Sequence, residues 1–119
     1  MLALYFGEPG AEAVERVVLG SLLSAVNYTE VVSKALDRGD ALPRIFRKLA
    51  AMGFSVVPHD QPLARRAGEL RPRTRHLGLS LADRACIALA ERERLPAFTA
   101  DRSWLSLGGA VAIEVHVIR

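Results

Sequence analysis

Glu30, Asp83 and Asp101 each stand where the chain leaves an apolar run or enters a helical pattern. Asp83 lies three residues after Ser80 at the start of a long apolar helix. Asp101 follows the run Ala97 to Ala100, and Glu30 follows the run Ser21 to Val26. At the carboxyl rim of a parallel sheet, where functional crevices form, all three acids would meet. Carboxylates within ~4 Å of one another repel by about 4 kcal/mol per pair at an effective dielectric of about 20, so such a gathering calls for a cation. All-oxygen ligation suits Mg²⁺ or Mn²⁺, which can activate water for attack on phosphorus. The expected chemistry is phosphodiester hydrolysis. Asn27 and Thr99 are candidate supporting donors, and Arg84, Arg102 and the run Arg71, Arg73, Arg75 are candidate phosphate contacts. Each acid also has a simpler use: Glu30 and Asp83 fall at capping-box spacing from Asn27 and Ser80, and Asp101 falls at a helix N-cap. Spacing alone does not choose between the two.

The elements that would position these residues alternate between short apolar runs and helical patterns. After the apolar Met1 to Phe6, Val14, Val17 and Val18 recur at helical spacing up to Gly20. Ser21 to Val26 reads as a strand, and Asn27 as the cap of a helix ending near Gly39. Asp40 is expected to cap a helix with the apolar stripe Leu42, Ile45, Phe46, Leu49 and Met52. Phe54 to Val57 reads as a second strand, followed by a helix capped by Asp60. Arg71 to His76 reads as a basic, proline-broken loop, and Ser80 starts a helix that runs to about Arg94. Ala97 to Ala100 is a third strand, and Val111 to Val117 alternates like an edge strand. Strands separated by helices, with no hairpin signal, predict an α/β, doubly wound parallel sheet flanked by helices in one domain over residues 1–119.

Composition narrows the classes. Sixteen Lys and Arg against 13 Asp and Glu give +3, which permits a polyanionic partner without the density of a nucleic-acid tail. The single cysteine, Cys86, excludes a disulfide framework and a cysteine-rich zinc site, and suggests a reducing, cytoplasmic compartment. No stretch is long and apolar enough for a membrane span, and no Gly-rich phosphate loop or nucleophile elbow is present. Tyr28 and Trp104 adjoin helix starts and are expected to pack under the rim. His59, His76 and His116 share no ligand spacing.

The blocks Ser24-Ala25-Val26-Asn27-Tyr28-Thr29-Glu30-Val31, Gly78-Leu79-Ser80-Leu81-Ala82-Asp83-Arg84-Ala85-Cys86 and Thr99-Ala100-Asp101-Arg102-Ser103-Trp104 resemble those of PIN-domain proteins, specifically VapC-type toxins. The resemblance spans essentially the whole chain. It implies a Mg²⁺- or Mn²⁺-dependent endoribonuclease toxin of a type II toxin–antitoxin pair, with Glu30, Asp83 and Asp101 as metal ligands. It further implies RNA as substrate, a VapB-type antitoxin as inhibitor, and a homodimer.

One departure qualifies the resemblance. Family members begin with a strand ending in Asp-x-Ser, whose Asp is the first metal ligand, and Met1 here aligns after it. That strand is the middle one of the family's sheet, so the sheet is expected to lack its centre. Three consequences are open: the native protein carries the strand upstream of Met1; the Ser21 to Val26 strand pairs directly with Ala97 to Ala100; or the chain binds an antitoxin or RNA without cutting. The first is tested by the DNA 5′ of the Met1 codon, the second by the fold, the third by a cleavage assay.

Overall fold

The computed structural model describes residues 1–118, and for Ala3 the backbone alone. Two short helices open the chain, α1 (Leu2–Phe6) and α2 (Ala11–Val18), followed by strand β1 (Leu22–Ser24) and helices α3 (Ala25–Asp37) and α4 (Leu42–Ala50). Strand β2 (Ser55–Val57) leads into α5 (Gln61–Glu69) and α6 (Arg71–Thr74), and a 3-10 turn at Arg75–Leu77 precedes α7 (Leu81–Glu93). Strand β3 (Ala97–Thr99), 3-10 turns at Arg102–Ser106 and Gly108–Ala110, and β4 (Val115–Val117) complete the described residues.

The strands are parallel, as the alternating pattern predicts, but they form two pairs. β1 lies beside β2 with Leu23 opposite Val56, and β3 lies beside β4 with Phe98 opposite His116. No ladder joins β1 to β3. Direct pairing of Ser21–Val26 with Ala97–Ala100 is therefore excluded, and the sheet is open at its centre.

Each half has its own core. Tyr5, Val31, Ala35, Ile45 and Leu49 pack where α1, α3 and α4 meet. Leu70, Leu79, Ile87, Ala97, Trp104 and Leu107 pack beneath β3. Ala88 and Leu89 of α7 meet Leu63 and Ala67 of α5 in a third cluster. Trp104 thus packs under the rim as expected, and Tyr28 lies edge-on to Phe54. Gly53, with φ of 80°, turns the chain from α4 into β2, and a Cβ there would meet Leu19 Cδ1 at 2.5 Å.

Several local expectations are corrected. Helix α3 starts at Ala25, because Ser24 Oγ accepts from Val26 N–H and caps it, so that the last two residues of the expected strand, Ala25 and Val26, are helical. Asn27 is therefore inside the helix, and Glu30 lies in its second turn, with no capping box between them. Asp40 does not cap α4; the cap is Ala41, and Asp40 Oδ2 instead accepts from Tyr5 Oη at 2.9 Å. Lys48 Nζ donates to the Tyr5 carbonyl, which ties α4 to α1. Arg71 to His76 is not a loop but α6 and the start of the 3-10 turn, since Pro72 sits in a first turn where its missing N–H costs nothing. The last strand is confined to Val115–Val117.

Candidate functional site

The opening between the half-sheets is a cavity of about 530 Å³. Helices α2, α3 and α7 wall it on regular stripes. Val14, Val17 and Val18 face it from α2, Asn27, Glu30 and Val31 from α3, and Asp83, Cys86, Leu89, Ala90 and Glu93 from α7. Leu22 to Ser24 and Ala97 to Asp101 form its strand walls. Glu30, Asp83 and Asp101, read from sequence as one set, thus border the same space together with Asn27 and Thr99. The cavity is mainly apolar with acids on its border.

Two of the acids are held by the caps that the sequence predicts. Asp83 Oδ2 accepts from Ser80 N–H at 2.9 Å while Ser80 Oγ accepts from Asp83 N–H at 3.2 Å, a complete capping box. Asp101 Oδ1 accepts from Ser103 N–H at 2.9 Å. Thr99 Oγ1 accepts from Asp101 N–H at 3.0 Å, which fixes the backbone that carries this acid. Capping and lining the cavity are compatible uses, because each carboxylate has two oxygens.

Asn27 joins the two halves of the molecule. Its Nδ2 donates to the Ala82 carbonyl on α7 at 3.1 Å, while its buried Oδ1 has no hydrogen-bond partner among the described residues. An unmatched buried acceptor of this kind is costly unless something fills it.

The donor set, three carboxylates and this amide oxygen, suits a hard divalent cation. The acids are nevertheless not drawn together. Among the described residues no three His, Cys, Asp or Glu side chains stand close enough to hold one ion.

The arginine candidates separate. None of the five borders the cavity. Arg84 Nη1 donates to the Ala67 carbonyl at 2.9 Å, tying α7 to α5. Arg71 reaches the Leu79 carbonyl at 3.4 Å and is otherwise exposed, as are Arg73, Arg75 and Arg102.

Cys86 and Ser24 are the residues that sequence reasoning missed. Cys86 is three residues from Asp83 and hence on the same helical face, and burial pushes its thiol up to about 11. Ser24 immediately before a helical run carried a readable N-cap signal.

The PIN domain family profile matches residues 1–109. The fold is similar to that of a chain in a toxin–antitoxin complex from Klebsiella pneumoniae, with a TM-score of 0.72 and 22% sequence identity over 99% of this chain and 91% of that one. Comparison with curated proteins yields no significant match. Among the described residues no helix is long and apolar enough to cross a membrane.

Proposed function

The chain belongs to the PIN domain family, whose members are generally nucleases, and on that footing we propose that it is a metal-dependent endoribonuclease toxin. The observation that carries the reading is that Glu30, Asp83 and Asp101 border one cavity from three separate elements, with Asn27 and Thr99 beside them. These three acids are the residues that would hold Mg²⁺ or Mn²⁺ once drawn closer together than they stand in this structure. When bound, such an ion supplies Lewis acidity and a water of lowered pKa.

The chain's own groups prepare the site. The Ser80 and Ser103 amides restrict the rotamers of Asp83 and Asp101, and Thr99 fixes the turn on which Asp101 stands. Asn27 holds α3 against α7 and so sets where Glu30 stands relative to Asp83. Arg71, Arg73, Arg75 and Arg102 are exposed cations suited to the RNA backbone outside the cavity. On this reading the protein acts in the cytoplasm as a homodimer under the control of a VapB-type antitoxin. The structural likeness to a chain of a toxin–antitoxin complex supports that partner.

A second reading is favoured by one observation, the separation of the acids: a module that binds an antitoxin or RNA without cutting. Incubation of the purified chain with single-stranded RNA and Mn²⁺ separates the two. Cleavage that is abolished by chelation and by Asp83→Asn is expected. Intact RNA with wild-type protein would favour the binding module, and equal cleavage by Asp83→Asn would remove the assigned role.

A further inference from the structure

A second, smaller hollow lies beside the cavity. It holds about 250 Å³ where α1 and the turn after it meet α3, and Leu2, Phe6 and Pro9 supply its apolar side. Lys34 and Arg38 face it from α3. Leu2 and Ala100 border both spaces, so the hollow adjoins the cavity next to Asp101. Glu30, Lys34 and Arg38 recur every fourth residue and form one stripe along the helix, each step rising about 6 Å. The stripe runs from an acid on the cavity border to two cations in the hollow. Its step is comparable to the distance between neighbouring phosphates of a nucleic-acid strand.

The last turn of any helix favours cations, but these two are also placed for a ligand. Lys34 is exposed and has no hydrogen-bond or ion-pair partner among the described residues. The Arg38 guanidinium carbon lies 3.7 Å from the centroid of the Phe6 ring, which holds the head group against the apolar side of the hollow. Its Nη2 stands 3.9 Å from Glu8 Oε1, and with 56% and 41% of the two side chains exposed, water weakens that pair enough for a stronger anion to replace it.

We infer that Lys34 and Arg38 bind a backbone phosphate of single-stranded RNA, next to the phosphate that lies at the acids, and so set the path of the strand across the rim. The inference rests on the reading of the chain as a ribonuclease. Arginine offers a fork of N–H groups and lysine a point charge, and phosphate oxygens accept from both. The apolar side of the hollow gives the attached ribose and base a surface to rest on. An acidic peptide fits less well, because its next carboxylates would follow the stripe onto Glu30.

The test follows binding of a short, fluorescein-labelled single-stranded RNA to the full chain by anisotropy, with chelator present so that nothing is cut. Wild type is expected to bind saturably, and the double variant Lys34→Gln, Arg38→Gln at least about tenfold more weakly at low salt. Its slope of log affinity against log salt is expected to shrink by about 0.7, the value of one phosphate contact in a single strand. The double variant Arg44→Gln, Arg47→Gln removes the same charge from exposed positions on α4 and is expected to stay within about twofold of wild type. Should the first double variant melt early, Lys34→Gln alone, exposed and unpartnered, is expected to bind at least about threefold more weakly. No saturable binding by wild type, equal weakening by the two double variants, or binding of hexaglutamate as tight as that of RNA would overturn the inference. RNA that binds through Lys34 and Arg38 yet stays intact with Mn²⁺ would count against the ribonuclease reading and leave the phosphate site standing.

Discussion

Asp83 serves its helix with one carboxylate oxygen and leaves the other for the cavity, and substitutions separate the two uses. Ser80→Ala removes the reciprocal cap and is expected to lower stability to urea by about 1 kcal/mol. Asp83→Asn retains an acceptor oxygen and is expected to cost less than Ser80→Ala; a larger loss would make the carboxylate primarily structural. Cys86 borders the same cavity. With its thiol pushed up to about 11, only about one molecule in a thousand carries a thiolate near pH 8. Labelling by a disulfide reagent is therefore expected to be at least about a hundredfold slower in the folded than in the urea-unfolded chain, and comparable rates would contradict this. At Asp60, the hydrogen bond from Arg92 and then the Leu63 N–H hold the carboxyl below its ordinary 3.8. A depressed folded pKa means the contribution is present above about pH 4 and lost as pH falls through the lower folded value. Asp60→Asn is expected to melt below wild type near pH 7 and to converge with it as pH falls through the lowered folded value, and parallel melting curves would contradict the linkage.

The crossing of α3 and α7 carries the site, and among the described residues one side-chain bond, Asn27 to the Ala82 carbonyl, joins them beside the acids. Asn27→Ala is expected to cost about 1 kcal/mol in urea unfolding, the net value of such a bond. Ile45→Ala, which empties a fully buried position against α1 and α3, is expected to cost about 2 to 5 kcal/mol; a loss under about 1 would mean that the half-core is loosely packed. The long helices α4, α5 and α7 were legible from apolar spacing because their stripes are unbroken, and the Ser80 box and the Asp60 cap were legible as signals. The start of α3 was not, because Ser24 and Asn27 are both good caps and only packing on α7 chooses between them. Helix α6 was hidden by Pro72, which reads as a breaker until the first turn is known to begin at Arg71.

The molecule keeps a radius of gyration of 14.0 Å, close to the roughly 13.5 Å expected of a compact chain of this length, so the open centre of the sheet does not splay the domain. Helix α7 holds the halves together by packing on α3, α5 and both inner strands. Its burial is the reason the acids share one cavity. Glu30, Asp83 and Asp101 border one cavity, although their spacing in the sequence did not choose between a shared site and separate helix caps, and Glu30 lies in the second turn of α3 and not at its entry. Their separation was not legible, since it depends on how far apart the two half-sheets stand. Whether one ion unites these acids is decided most directly by Mn²⁺ binding to the full chain, read by electron paramagnetic resonance without substrate. Saturable binding is expected, weakened at least about tenfold in both Asp83→Asn and Asp101→Asn, the scale of losing one charged ligand. Equal affinity in all three proteins would contradict the site.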